Sequence, residues 1–354
     1  MEMQDVKILM VGPARSVNGG ISAVVNNYYE AGLDSKVDIE YIGTMEDGSK
    51  WHKLSVAIKA LCTFLTSVGQ ADIVHIHMAS DVSIYRKLPF IWITKFRKKK
   101  LIIHQHGGNI ENFYYEVCGN RRRHWIQKSL NQTDRFLVVA PYLKDVFSKI
   151  IEENKILVLP NSIPVPDEFD KDYSCKKLVF MGRLCKEKGI GELLDAVAYL
   201  KKEFTDLELF LGGVWVDETL KKKADSMGEF VHQLGWIDTE ARERYLRECN
   251  IFVLPTYFEG LPMSLLEGMA YGCACVASEV GGIPQVIEHG RDGILIPAKD
   301  VTALTEALRR VLSDVQLQQN MGKNSIKVVK EKYNIQKAMD GLLNEYKKVS
   351  DIHS

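Results

Sequence analysis

Twelve short apolar runs, all but one closed by glycine, proline or histidine, alternate with amphipathic stretches along the whole of this chain. In the first half they are VKILMVG, VDIEYIG, DIVHIH, LIIHQHGG, RFLVVAP and ILVLPN; in the second, KLVFMGR, LELFLGG, FVHQLG, IFVLPT, CACVAS and DGILIP. Runs that are apolar throughout suit strands buried on both faces, and helices between them suit parallel βαβ units. One sheet of twelve strands would be unusual, so the pattern predicts two doubly wound α/β sheets. With 354 residues and 46% hydrophobic content, the chain can bury two cores. The expected boundaries are 1–165, 166–334 and a final helix over 335–354 that is free to pack back on the first domain. The proline-rich, charged segment PNSIPVPDEFDKDYSCKK, 160–177, reads as the linker. Trp51, Leu54, Ile58, Leu61, Leu65 and Val68 recur at helical spacing and predict one buried helix face.

Formal charge sums to zero, with 46 basic and 46 acidic residues. Residues 1–165 nevertheless hold 21 Lys and Arg against 16 Asp and Glu, and the remainder is acidic to the same extent. A modest excess of this kind permits an anionic partner but does not make a nucleic-acid binder, and no RNA- or DNA-binding motif accompanies it. Seven cysteines without a C-x-x-C pair point to reduced, buried thiols in a cytosol-type compartment. No signal peptide is expected from the transition of MEMQD into VKILMVG. The run LPFIWITKF, 88–96, is far short of the roughly 20 residues that cross a bilayer. A cytoplasmic protein, soluble or peripheral on the inner membrane face, is the expectation.

In open α/β sheets, ligands bind beyond the carboxyl ends of the strands, and the unusual residues cluster there. KLVFMG ends at Gly182-Arg183, and Lys188-Gly189 precedes a helix that begins near Ile190. Two cations beside a helix N-terminus suit a phosphate; a solvated turn with Arg183 paired to a carboxylate is the plainer alternative. The stretch PTYFEGLPMSLLEGMAYG, 255–272, reads as strand end, turn and helix, with Pro262 in the first turn and Gly272 at the stop. The free N–H groups near Met263, Ser264 and Leu265 would face an anion there, with Gly260, Leu261 and Pro262 as the binding turn before them. Glu259 would be repelled by that anion unless it holds something neutral and rich in hydroxyls, such as a sugar. Glu267, about one turn inside, can accept from both hydroxyls of a ribose; a helix-start carboxylate and a surface carboxylate are the plain reading of the pair.

In the first half, Gly19 and Gly20 follow the first strand and would let a ligand approach the backbone, although no G-x-G-x-x-G is present. His104 and His106 share a side of the strand LIIHQHGG, and a histidine at such an end can donate to a hydroxyl or a departing phosphate. His75, His77, His104 and His106 could share a face as metal ligands, but no carboxylate or thiol pattern supports it, so no metal is expected. Asp170-Lys171-Asp172 imitates the Asp-x-Asp of metal-dependent sugar transferases yet falls in the linker, where a solvated run is expected. The basic stretches FRKKK (96–100) and NRRRHWIQK (120–128), with ENFYYE between them, suit an anionic membrane surface, a lipid diphosphate or carbohydrate stacking, against the plain reading of ordinary helix faces.

Taken in order, the Gly-Gly loop, DIVHIH, HQHGG, LPNSI, GRLCKEKG, LGWID, LPTYFEGLPMSLLEGMAYG with its E-x7-E, and GGIPQVIEHGRDGILIP resemble the family 4 retaining glycosyltransferases of GT-B fold over essentially the whole chain. The resemblance implies two Rossmann-like domains facing across a deep cleft, an N-terminal acceptor domain and a C-terminal nucleotide-sugar domain. It implies that Arg183 and Lys188 hold a donor diphosphate, Glu267 the ribose and Glu259 the transferred sugar, with His106 near the sugar and leaving phosphate. Gln285 replaces the usual Glu after GGIP, and Gly268 and Cys273 stand where Ala and a small residue or Pro are commoner. The implied reaction is metal-independent transfer of a hexose or N-acetylhexosamine with retention, needing no cofactor beyond a nucleotide-sugar substrate, UDP-sugar in preference to GDP-sugar. The basic first half is consistent with a glycan or lipid-linked acceptor in cell-surface polysaccharide synthesis, and with peripheral contact with an anionic membrane. A nucleotide-sugar epimerase or phosphorylase, or a noncatalytic nucleotide-sugar-binding protein, would share the plan.

Overall fold

The structure, a computed structural model, describes residues 6–351, so MEMQD, where no leader is expected, lies outside the described residues. The chain divides into two units, residues 1–164 with 335–354, and residues 165–334.

The first unit carries strands β1 (Lys7–Gly12), β2 (Asp38–Gly43), β3 (Ile73–Met78), β4 (Lys100–Gln105), β5 (Arg135–Val138) and β6 (Ile156–Val158). Its helices are α1 (Gly20–Glu30), α2 (Leu33–Lys36), α3 (Lys50–Ser67), α4 (Val82–Phe96), α5 (Asn120–Leu130) and α6 (Pro141–Ser148). The sheet is parallel throughout, in the order β2-β1-β3-β4-β5-β6. Right-handed crossovers that step one way from β1 to β2 and the other way thereafter put α1 over one face and α3 to α6 over the opposite one. Every residue of β3 is buried, which is why that run carries no polar alternation beyond its histidines.

The helical spacing from Trp51 to Val68 does form a helix, but its face is not the expected one. Trp51 is 82% exposed, Leu54 50%, Ile58 55% and Leu65 44%, while Ala60, Phe64 and Val68 point inward. The reason is the partner: α3 packs against β2, an edge strand that is itself only half covered, so a single narrow line of contact suffices.

The second unit repeats the plan with β7 (Lys177–Met181), β8 (Glu208–Gly212), β9 (Val231–Gly235), β10 (Ile251–Leu254), β11 (Ala274–Ser278) and β12 (Gly293–Ile296). Between and after them run α7 (Ile190–Leu200), α8 (Glu218–Asp225), α9 (Thr239–Glu248), α10 (Met263–Ala270), α11 (Val301–Ser313) and α12 (Val315–Lys332). The order β12-β11-β10-β7-β8-β9 is again all parallel. Crossovers reverse direction between β7 and β10, so the sheet leaves a crevice at the carboxyl ends of those two neighbours.

The last helix, α13 (Ile335–Asp351), belongs to the first unit. It buries Ile335, Met339, Leu342, Tyr346 and Val349 there, and its Glu345 pairs with Arg135 of β5 at 2.9 Å. The segment after 164 is anchored more firmly than a solvated linker would be. Asp170 and Asp172 are exposed as expected, but the Lys171 ammonium turns inward and donates to the carbonyls of Leu246 (2.6 Å) and Tyr271 (2.9 Å). The buried Tyr173 hydroxyl donates to the Gly272 carbonyl at 2.8 Å, so the segment is stapled to the C-terminal end of α10.

Candidate active site

The second unit gathers its polar residues at the crevice between β7 and β10. After β7 the chain passes through Gly182 and the exposed Arg183, makes a short turn over Lys186–Lys188, and enters α7 through Gly189. Gly189 has φ +70°, and a Cβ there would strike the Pro255 carbonyl beyond β10, so glycine is required by both conformation and space. That close approach draws the two strand ends together: the Tyr257 amide donates to the Glu187 carbonyl (2.9 Å), and the buried Thr256 hydroxyl donates to the same carbonyl (3.3 Å). The Tyr257 hydroxyl donates to Glu192 in the first turn of α7 at 2.6 Å.

This stitching carries Glu259 to Lys188. The two form an ion pair in which the side chains are only 13% and 20% exposed. Behind Glu259, Gly260, Leu261 and Pro262 are buried, and α10 starts at Met263 with Pro262 as its N-cap and no side chain capping it. The amides of Met263, Ser264 and Leu265 therefore open α10 without intrahelical partners, next to the Lys188–Glu259 pair. Glu267 lies in the second turn and is held by Arg242 of α9 at 2.8 Å. Burial pushes the Glu267 carboxyl up in pKa and the Arg242 guanidinium pulls it partly back. Arg242 is a site residue that sequence reading missed; it sits in TEARERYLRE, an ordinary charged helix by pattern, and nothing in the spacing distinguishes it from Arg244 or Arg247.

Two departures from the family pattern have structural explanations. A Cβ on Gly268 would lie 2.6 Å from the Phe252 ring of β10, so α10 sits closer to its strand than an alanine allows. Cys273 is buried against the carbonyls of Leu246 and Cys249. Gln285 is exposed; its backbone amide donates to the Gly282 carbonyl at 3.2 Å, and its own carbonyl accepts from the Tyr333 hydroxyl at 3.2 Å.

In the first unit, the corresponding reversal of strand order lies between β1 and β3. Gly19 and Gly20, at the start of α1, are exposed, with nothing within 4 Å of where a Cβ would stand. They leave open room above β1 and are not required by contact with the protein itself. Four imidazoles line adjacent strands: His77 of β3 stands opposite His104 of β4, with His75 before and His106 after. His106 Nε2 meets His77 Nδ1 at 3.0 Å, and His75 Nδ1 meets the Tyr346 hydroxyl of α13 at 2.6 Å. Burial drives all four down in pKa, His75 to about 3 and His106 to about 4, the latter against a smaller upward pull from the Asn161 amide. His75, His77 and His104 bring ring nitrogens within 4.8 Å of one another, but the rings lie at 11° to 34° to each other, a stack more than a convergence of lone pairs. Lys87 of α4 is a further buried cation, its ammonium donating to the Thr44 hydroxyl, with burial lowering its pKa to about 7.

Residues 175–314, all within the second unit, match the family described as glycosyl transferases group 1. The group 1 match spans β7 through α11 and thus every second-unit residue of the candidate site. The chain is 35% identical over 144 residues to the amylovoran biosynthesis glycosyltransferase AmsK of Erwinia amylovora, covering 38% of this chain and 35% of that protein. It is 24% identical to a phosphatidyl-myo-inositol mannosyltransferase of Mycobacterium leprae over 69% of this chain and 65% of the relative. The chain thus spans about one third to two thirds of the length of these relatives. Among solved structures, sucrose-phosphate synthase of Thermosynechococcus elongatus superposes with a TM-score of 0.80 at 17% identity, covering 97% of this chain and 99% of that one. Anabaena HepE in complex with UDP-glucose superposes at 0.79 and 14% identity, covering 97% and 99%. Two all-parallel six-stranded units of this kind are the GT-B fold.

Proposed function

We propose that the protein is a retaining glycosyltransferase that moves a hexose or N-acetylhexosamine from a nucleotide diphosphate sugar to a glycan or lipid-linked acceptor in cell-surface polysaccharide synthesis. The observation that carries this reading is the Lys188–Glu259 pair at the uncapped start of α10, beside the opening of α7. A donor diphosphate brings two negative charges to that point. It draws the Lys188 ammonium to itself, with Arg183 on the same loop as second cation, and so releases the Glu259 carboxylate for the hydroxyls of the transferred sugar. The amides of Met263 to Leu265 and the α10 dipole add to the binding of the anion. Glu267, kept in place by Arg242, takes the ribose hydroxyls.

Fixed positive charge on the leaving diphosphate supplies the stabilisation of developing charge that a metal could otherwise give. Attack on the same face, with the leaving phosphate accepting the acceptor's proton, accounts for retention without a covalent nucleophile. His106, neutral at physiological pH and hydrogen-bonded to His77, acts as a donor to a sugar hydroxyl or phosphate oxygen. Neighbouring structures in complex with UDP and UDP-glucose support UDP over GDP, and the names of the Erwinia and Mycobacterium relatives support a polysaccharide or lipid acceptor. Peripheral contact with an anionic membrane belongs to the same reading.

A thermal-shift panel of sugar nucleotides tests it, since a ligand that binds only the folded state raises the melting temperature. UDP-sugars should raise it and GDP-sugars should not. A panel without any shift would remove the donor site.

A further inference from the structure

The exposed face of α3 has a chemistry that its buried face does not explain. Trp51, Leu54, Ile58 and Leu65 fall along one side of the helix, at 82%, 50%, 55% and 44% exposure. Lys50, Lys53 and Lys59 stand among them in solvent. Beside α3, over the same face of the first sheet, lie α4 and then α5. Together the three helices contain ten lysines and arginines and no aspartate or glutamate. Lys87 is buried, Lys95 pairs with Asp134 at 2.9 Å, and Arg123 donates to the carbonyls of Cys118 and Tyr115; the other seven are exposed. Phe96, at the end of α4, is 84% exposed, and Trp125 of α5 is 57% exposed with the Lys128 ammonium 5.7 Å from its ring.

An apolar stripe set in cations, with tryptophan prominent, is the composition of a helix that lies in a headgroup plane. We propose that this face docks the first unit on an anionic phospholipid bilayer, with α3 parallel to the surface, Trp51, Leu54 and Ile58 at the acyl boundary and its lysines among the phosphates. Charge complementarity decides between occupants. A second copy placed by a two-fold axis would set the same cations against themselves, whereas anionic lipid gains from each lysine and arginine near the surface. The proposal assigns a surface to the membrane contact named above. It does not depend on the donor site, because vesicle binding needs no turnover.

The test is flotation with vesicles of phosphatidylcholine alone and of phosphatidylcholine with about a third phosphatidylglycerol, at low and high salt. The intact chain should float with the anionic vesicles at low salt, stay behind with the neutral ones, and be released by salt. Trp51→Ser combined with Ile58→Ser should reduce the bound fraction about tenfold or more, with the melting temperature unchanged because both side chains are exposed. Flotation of the double variant equal to that of the parent, or no flotation of the parent at low salt, overturns the proposal. So does a parent that is dimeric by light scattering, lipid-free in flotation, and made monomeric by the same substitutions. A missing UDP-induced thermal shift alongside normal flotation would fault the donor reading alone.

Discussion

Lys188 and Glu259 form a largely buried ion pair, and under the proposed function each has a distinct expected phenotype. Lys188→Ala should lower turnover by about 10²-fold or more, by analogy with the loss of one charge-stabilising donor. Steady-state kinetics with a UDP-sugar checks this, and near-normal turnover would remove Lys188 from the chemistry. Glu259→Gln should damage transfer while UDP affinity, measured by calorimetry, stays within a few-fold of the parent. Arg242→Ala leaves Glu267 largely buried without its cation and should cost about 1–3 kcal/mol, read as a lower urea midpoint. Gly182, Arg183, Lys188 and the stretch from Glu259 to Glu267 were legible in the sequence because strand ends and helix starts are local features. Arg242 was not, since its meaning comes only from a neighbour 25 residues away in the chain.

At the scale of elements, β3, β4 and α13 together form a buried imidazole row closed by Tyr346. An unfolded histidine titrates near pH 6.5. In the folded protein, His75 stays neutral down to about pH 3 and His106 to about pH 4. Below pH 6.5 the unfolded chain therefore takes up protons that the folded chain refuses, and stability falls as pH falls. The contribution is fully present above pH 6.5 and erodes between there and about pH 4. Urea midpoints at pH 7.5, 6 and 5 should decline already between 7.5 and 6, before carboxylates begin to titrate; a flat profile in that interval would contradict the burial of the row. Helix α3 shows the complementary lesson. Its spacing is real, yet which side of it meets the sheet depends on an edge strand that the helix pattern does not contain.

Across the molecule, each unit has its own core and its own reversal of strand order; the second unit's candidate residues lie at its reversal, whereas the first unit's buried imidazoles line β3 and β4. Hydrogen exchange should register this division. Saturating UDP should slow exchange at residues 182–189 and 256–267 while leaving β9, β12 and α11 near their ligand-free rates. Protection confined to the first unit would place the nucleotide elsewhere.

The order of strands and helices, both sheets and the placing of the second unit's candidate residues at strand ends and helix starts follow from the sequence by itself, because buried parallel strands write continuous apolar runs and glycines mark the turns between them. The partners that modify the site needed the tertiary structure. Arg242 on Glu267, Tyr346 on His75, Lys171 on the carbonyls near α10 and the solvent over Trp51 are all meetings of residues distant in the chain. Short-range periodicity carries no record of such meetings, since it reports which residues share a face and not what that face touches.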